Sequence, residues 1–343
     1  MSNYNPSRNR KIIHNTKTTN MVPRWFIVIV VIAGLLQIGI VETPFLGPGF
    51  FVGTLLSVLP AVLAWFLALR LNRIVSSPIG LLVWIFLWGA FVATLVAGYV
   101  NTFVSEASTD AIGAIISAPL IEEVMKFSAL AFIIGLTGAV DNPLSGCVAG
   151  ILVGGGFSVF EDVSYVLMST DNNTAFSTSI FRVFVSPLIH MSTTALAGWF
   201  VGGKVLRGEN WKYSLISILI PSMAIHCLWN VGASFLGGFL IIIGLGHTVV
   251  SLYLVKVANR KTEEFIIEGQ KIANQSGYFE ENDQLLLQRK LDDKRMKLGG
   301  STAARYQDYV RALIMVSMAS NIYKTMPLHY LNELHIARHA LKG

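Results

Sequence analysis

The chain has 343 residues, 53% of them hydrophobic and only 13% charged, where a soluble domain carries roughly 25% charged residues. Its net charge of +6 does not point to nucleic acid, because the bases mostly lie beside apolar runs, as membrane-flanking residues do. Two cysteines, Cys147 and Cys227, both inside apolar runs, exclude a disulfide framework.

Residues 1–24 are polar and basic, with Arg8, Arg10, Lys11, Lys17 and Arg24, and are expected to form a cytosolic tail. The apolar run that follows has no small-residue cleavage site and reads as an uncleaved first span. A span needs roughly 20 mostly apolar residues. Eight are predicted, at 25–41, 50–69, 79–99, 118–137, 144–168, 183–203, 213–233 and 235–257. The fold class is therefore all-α: a polytopic transmembrane helix bundle over 25–257 with a small helical cytosolic region over 258–343. That last region holds half of the acids and bases. Its predicted helices are 259–276, 281–297, 303–323 and 327–341, with Gly299-Gly300 as a break. The apolar stretch Ala312–Ala319 is too short to span; it packs a small domain or docks on a partner.

Loop charge sets the orientation. Arg70 and Arg73, then Lys204, Arg207 and Lys212, then Lys256, Arg260 and Lys261 alternate with loops holding Glu42, Glu106 with Asp110, and Asp171 with Arg182. Both termini are expected in the cytoplasm of a multi-pass cell-membrane protein. The outer loop 101–117 contains DAIGAIIS, whose apolar spacing permits a short helix at the membrane surface, as a connector or a lid. Asn172-Asn173-Thr174 matches a three-residue glycosylation sequon.

An ionisable residue inside a span is a functional hypothesis by default, because charge in hydrocarbon is costly. Glu122, Glu123, Lys126, Glu161, Asp162, His190 and His226 all fall on the fourth to seventh predicted spans. With alternating helix directions at 1.5 Å per residue, Glu122, Glu123, Glu161, His190 and His226 lie roughly 6–11 Å below the outer surface. They form one layer. Glu122 and Lys126 share a helix face, as do Phe157 and Glu161, and His226 and Asn230. Asp162 is read as a snorkelling or capping residue. Gly146, Gly150 and Gly154 form a small-residue ridge of the kind that brings helix backbones together.

Three motifs in this order resemble those of the PrsW family of intramembrane proteases, relatives of the CAAX-processing and bacteriocin-processing membrane proteases. They are E-E-x-x-K in PLIEEVMKF, F-x-x-x-E in GGGFSVFEDVSY, and the His segments PLIHMSTTALAGW and AIHCLWNVGA. The resemblance covers about residues 118–233. It implies peptide-bond hydrolysis in or beside the membrane, on membrane-anchored substrates such as anti-sigma factors, cut on the extracytoplasmic side.

Two chemistries fit these residues. In one, Glu122 or Glu123 activates water, tuned by Lys126, while His190 and His226 orient water or bind the oxyanion and Asn230 donates to it. In the other, His190, His226 and Glu161 hold zinc with one of the paired glutamates as base. Two rival classes remain: a proton-coupled transporter, which would string polar groups through the whole membrane depth, and a non-catalytic receptor or scaffold acting through 258–343.

Overall fold

The structure is a computed structural model. It describes residues 23–40, 47–75, 77–185, 187–235, 239–292, 303–323 and 328–342. The basic tail before residue 23, the segment with Glu42, and Gly299-Gly300 lie outside these residues. Among the described residues every regular element is a helix. The chain forms two compact units, Met1–Leu69 with Ser77–Leu252, and Arg70–Ser76 with Tyr253–Gly343.

The first unit contains α1 (Arg24–Ile40), α2 (Pro48–Leu56) and the start of α3 (Leu59–Val75). Next come α4 (Ile79–Leu87), a π-helical turn (Trp88–Ala93) and α5 (Thr94–Ala107), which join end to end. A short α6 (Asp110–Ile112) runs through a second π turn (Gly113–Ser117) into α7 (Ala118–Phe132) and a third π turn (Ile133–Thr137). Gly138, at φ 61°, ends that run in the left-handed conformation open to glycine. Then follow α8 (Pro143–Leu167), α9 (Asn172–Val185), α10 (Pro187–Leu206), α11 (Trp211–Phe235) and α12 (Phe239–Gln275).

Among the described residues, four helical runs are long and apolar enough to cross a membrane: Pro48–Asn72, Ile79–Ala107, Pro143–Leu167 and Trp211–Phe235. The other expected spans correspond to the shorter α1, to α7 with its π turns, to α10, and to the first part of α12. The sixth expected span differs most. Residues 172–185 form their own helix, because Asp171 caps it with Oδ1 accepting from the Asn173 and Thr174 N–H groups at 2.8 and 3.0 Å. The expected loop 101–117 is mostly helix as well. The Thr109 hydroxyl caps α6 by accepting from Ile112 N–H, and nothing in the sequence breaks the run before Pro119. Proline is tolerated there, in the first turn of α7.

The bundle is organised around α8, whose apolar length is almost wholly buried, whereas in α11 only Ser222 and His226 are buried. Asn142 starts α8 with a capping box: its side chain accepts from Leu144 and Ser145 N–H, and Ser145 Oγ accepts from the Asn142 N–H. A Cβ on Gly146, Gly150 or Gly154 would strike the backbone of Gly198, Thr194 or His190, respectively. One index falls by four as the other rises by four. The two helices are therefore antiparallel with backbones touching, as small-residue ridges allow. This contact puts His190 one to two turns from Phe157 and Glu161.

The second unit contains the end of α12, α13 (Glu281–Asp292), α14 (Ala303–Tyr323) and α15 (Leu328–Lys342). The helix expected from 259 is not separate; α12 continues through Gly269 to Gln275, and Gly277, at φ 72°, follows its end. Ala312–Ala319 is buried within this unit, where Leu313, Val316, Ile266 and Leu287 are all fully enclosed. The apolar stretch therefore packs a core.

Candidate active site

The ionisable layer is a contiguous cluster inside the first unit. On α7, Glu123 and Lys126 are fully buried and Glu122 nearly so. Adjacent residues on a helix diverge by about 100°, so the two glutamates meet different neighbours. Lys126 Nζ donates to Glu123 Oε1 at 2.5 Å and lies 2.9 Å from His190 Nδ1. It also sits 4.8 Å from the centre of the Phe157 ring. The expected Glu122–Lys126 pair is thus replaced by Glu123–Lys126, because α8 and α10 deliver Phe157 and His190 to the Glu123 side. Glu122 turns instead toward Asn101 on α5, whose Nδ2 donates to Glu122 Oε1 at 3.3 Å.

His226, on α11, follows Pro221 by five residues; that proline removes one backbone donor from the helix. Its Nδ1 lies 3.0 Å from Glu123 Oε1 and its Nε2 3.7 Å from Glu122 Oε2. On α10, His190 Nε2 lies 2.8 Å from Glu161 Oε2. The two imidazoles meet edge to face with centroids 5.0 Å apart, and Phe157 packs on His190 at 5.1 Å. Each histidine therefore has a carboxylate at one ring nitrogen, Glu123 for His226 and Glu161 for His190. Carboxylates commonly orient histidine ligands in this way.

The structure brings together Glu122, Glu123, Lys126, Glu161, His190 and His226. Asn230, one turn beyond His226 on α11, donates from Nδ2 to the Ala114 carbonyl at 2.7 Å, bracing α11 against the second π turn. The potential metal set also differs from the expected one. One ligand atom from each of Glu122, His190 and His226 lies within 4.8 Å of the others. Glu161 is instead engaged by Arg182, at 2.9 Å, and by His190.

Three residues at the cluster were given no site role by their sequence pattern. Arg182, assigned to a loop, is carried by α9 onto α8, where its Nε also meets Asp162 Oδ1 at 2.7 Å. Asp162 is fully buried, which overturns its assignment as a snorkelling residue. Asn101 lies beyond the end predicted for the third span, 99, which in fact runs to Ala107. The signals were present: Asp171 and Pro187 bracket a separate helix, and Asn101 is a polar residue extending an apolar one. The sequon offers little purchase, since Asn172 Oδ1 accepts from Gly49 N–H at 2.9 Å and Thr174 Oγ1 donates to Asp171.

The donor set suits a divalent cation. Glu122 Oε2 and Glu123 Oε2 are buried and accept no hydrogen bond. Buried carboxylate oxygens are rarely left so. With all four carboxylates ionised, Glu122, Glu123, Glu161 and Asp162 exceed the permanent cations Lys126 and Arg182 by two charges. Two neutral imidazoles and a carboxylate are the ligand types that zinc takes in hydrolytic sites.

A family model described as PrsW family intramembrane metalloprotease matches residues 77–258, more than half of the chain. The match takes in α4 to α11 and every residue of the cluster. No curated protein and no solved structure gives a significant match.

Proposed function

The chain belongs to the PrsW family of intramembrane metalloproteases, and from that premise we propose that Glu122, His190 and His226 hold a zinc ion beside which Glu123 acts as the general base of peptide hydrolysis. It is a membrane-embedded protease acting on membrane proteins. The observation that carries the site assignment is the convergence of the three ligand groups within 4.8 Å, with Glu122 Oε2 unsatisfied among them.

When bound, the ion would polarise the scissile carbonyl and acidify a water molecule. The protein's own groups do the rest. Glu123 Oε1 is occupied by Lys126 and His226, which leaves Oε2 to take the proton from the attacking water. The water oxygen adds to the carbonyl carbon. Glu123 then returns the proton to the departing amine as the C–N bond breaks. Lys126 balances the Glu123 charge in a medium where an unpaired carboxylate is costly. Glu123, at Nδ1 of His226, holds that imidazole in the tautomer that turns Nε2 toward Glu122, and Glu161 at Nε2 and Lys126 at Nδ1 fix the His190 ring from both sides.

The substrate class is membrane-anchored proteins of the anti-sigma-factor type, cut near the extracytoplasmic face. The family resemblance and the loop charges support this. The same charges support eight spans, both termini in the cytoplasm of a cell-membrane protein, and a cytosolic 258–343 region. Among the described residues, four helical runs meet the length and apolarity of a span.

The test uses purified protein in bilayers with single-span substrates. Glu122→Ala, Glu123→Gln, His190→Ala and His226→Ala are each expected to abolish cleavage while the protein still inserts. Zinc content should fall in the variants of Glu122, His190 and His226 and persist in Glu123→Gln. Full activity in these variants, or in metal-free protein, would overturn the assignment.

A further inference from the structure

Arg182 is the one strong cation on α9 among its described residues, and it reaches the cluster from between the glutamate and histidine motifs. Its guanidinium contacts two adjacent acids of α8 through different nitrogens: Nη2 to Glu161 Oε2 at 2.9 Å and Nε to Asp162 Oδ1 at 2.7 Å. It also stacks 3.9 Å over the Tyr165 ring, one turn further along α8. Glu161 and Asp162 diverge by about 100° on their helix, so only a fork-shaped cation with several donors spans both. Asp162, fully buried, is the fixed end of this clamp. Glu161 Oε2 is the working end, because that same atom touches His190 Nε2 at 2.8 Å.

We propose that Arg182 is a positioning residue: anchored by Asp162 and Tyr165, it holds Glu161 so that Glu161 orients His190. This rests on the site assignment above, in which His190 is a metal ligand. The chain Asp162–Arg182–Glu161–His190 carries orientation from α9 and α8 to α10. It also explains why α9 is separately capped and packed on α2, where Gly49 N–H donates to Asn172 and a Cβ on Gly49 would strike the Asn172 backbone. A helix tethered at its start by these contacts delivers the residue near its end reproducibly.

Removing Arg182 alone leaves two buried carboxylates without their cation, which can unfold the bundle. The decisive variant is therefore the double Arg182→Gln/Asp162→Asn, which removes one charge of each sign at nearly constant size. It is expected to accumulate and melt like the wild type. Its kcat should fall by about tenfold or more with KM within twofold, and zinc should be lost to a competing chelator at about tenfold lower chelator concentration. These effects are expected at the low end of the range for disturbing the partners of metal ligands. Arg182→Lys, which keeps the charge but loses the fork, should recover part of the kcat and not all of it.

Wild-type kcat and zinc retention in the double variant would overturn the proposal. Failure of the double variant to accumulate would also overturn it, by making Arg182 a structural residue. The site assignment fails separately: if Glu122→Ala and His190→Ala keep activity, the active site lies elsewhere, whereas if they abolish it and the Arg182 variants do not, only the positioning role is lost.

Discussion

Both units bury carboxylates beside basic side chains, Asp283 by Arg338 and Glu123 by Lys126, but they treat the carboxylate oxygens differently. In the second unit, Asp283 is fully buried. One of its oxygens accepts from the Tyr309 hydroxyl, and the other accepts from Arg338 and, at 2.8 Å, from the Glu280 N–H. Burial, and then the Asp283 charge, hold the Tyr309 phenol above its ordinary range, so it stays a donor. In the first unit, Glu122 and Glu123 each keep one buried oxygen that accepts nothing. A carboxylate with both oxygens used is a structural joint. A pair with unused oxygens, beside two histidines, is a site built for something that must still arrive. The low dielectric of a bundle interior makes that unsatisfied state costly, so it points to function more strongly than burial of charge does.

Substitutions that remove charge while keeping shape can break this contrast. Glu123→Gln should lower cleavage of a membrane-anchored substrate by about 10²–10⁴-fold, with normal accumulation in the membrane. Asp283→Asn should leave cleavage per folded molecule within about twofold; a loss comparable to that of Glu123→Gln would erase the distinction between joint and site. Truncation in the second unit should instead appear in stability. Asp283→Ala, which removes the acceptor shared by Tyr309, Arg338 and the Glu280 N–H, should destabilise that unit by about 1–3 kcal/mol, read as faster hydrogen exchange across α13 to α15.

Saturating zinc at about a hundred times its Kd should stabilise the wild-type first unit by about 2.7 kcal/mol, measured as a rise in melting temperature. Glu122→Ala should lose that rise, and an unchanged rise would remove Glu122 from the ligand set. The smallest effect sharpens the background: Asn142→Ala, which deletes the cap of α8, should cost about 1 kcal/mol without changing the zinc response.

Much of the molecule was legible before any coordinates. Low charge content and long apolar runs require helices in a membrane, because only internally bonded backbone survives there. Helical period and alternating direction were enough to set Glu122, Glu123, Glu161, His190 and His226 at one depth. The glycine ridge announced a close contact for α8. The register of that contact was not legible. It depends on which residues of α10 face Gly146, Gly150 and Gly154, and no periodicity within one helix contains that information.

The partners across helices were decided at the tertiary level for the same reason. Spacing alone suggested Glu122 with Lys126, and Glu161 with the two histidines. The folded bundle pairs Lys126 with Glu123 and brings Glu122 close to both histidines, because Phe157 and His190 arrive at Lys126, Asn101 arrives at Glu122, and His226 reaches both glutamates. Arg182 entered only through a separate helix α9 packed on α2 and α8. Composition and period thus establish what the chain is and which residues share a layer. The crossing of α8 with α10, and the helix that closes over them, decide which of those residues touch, because side-chain pairing across a bundle is a property of packing and not of spacing along any one strand of sequence.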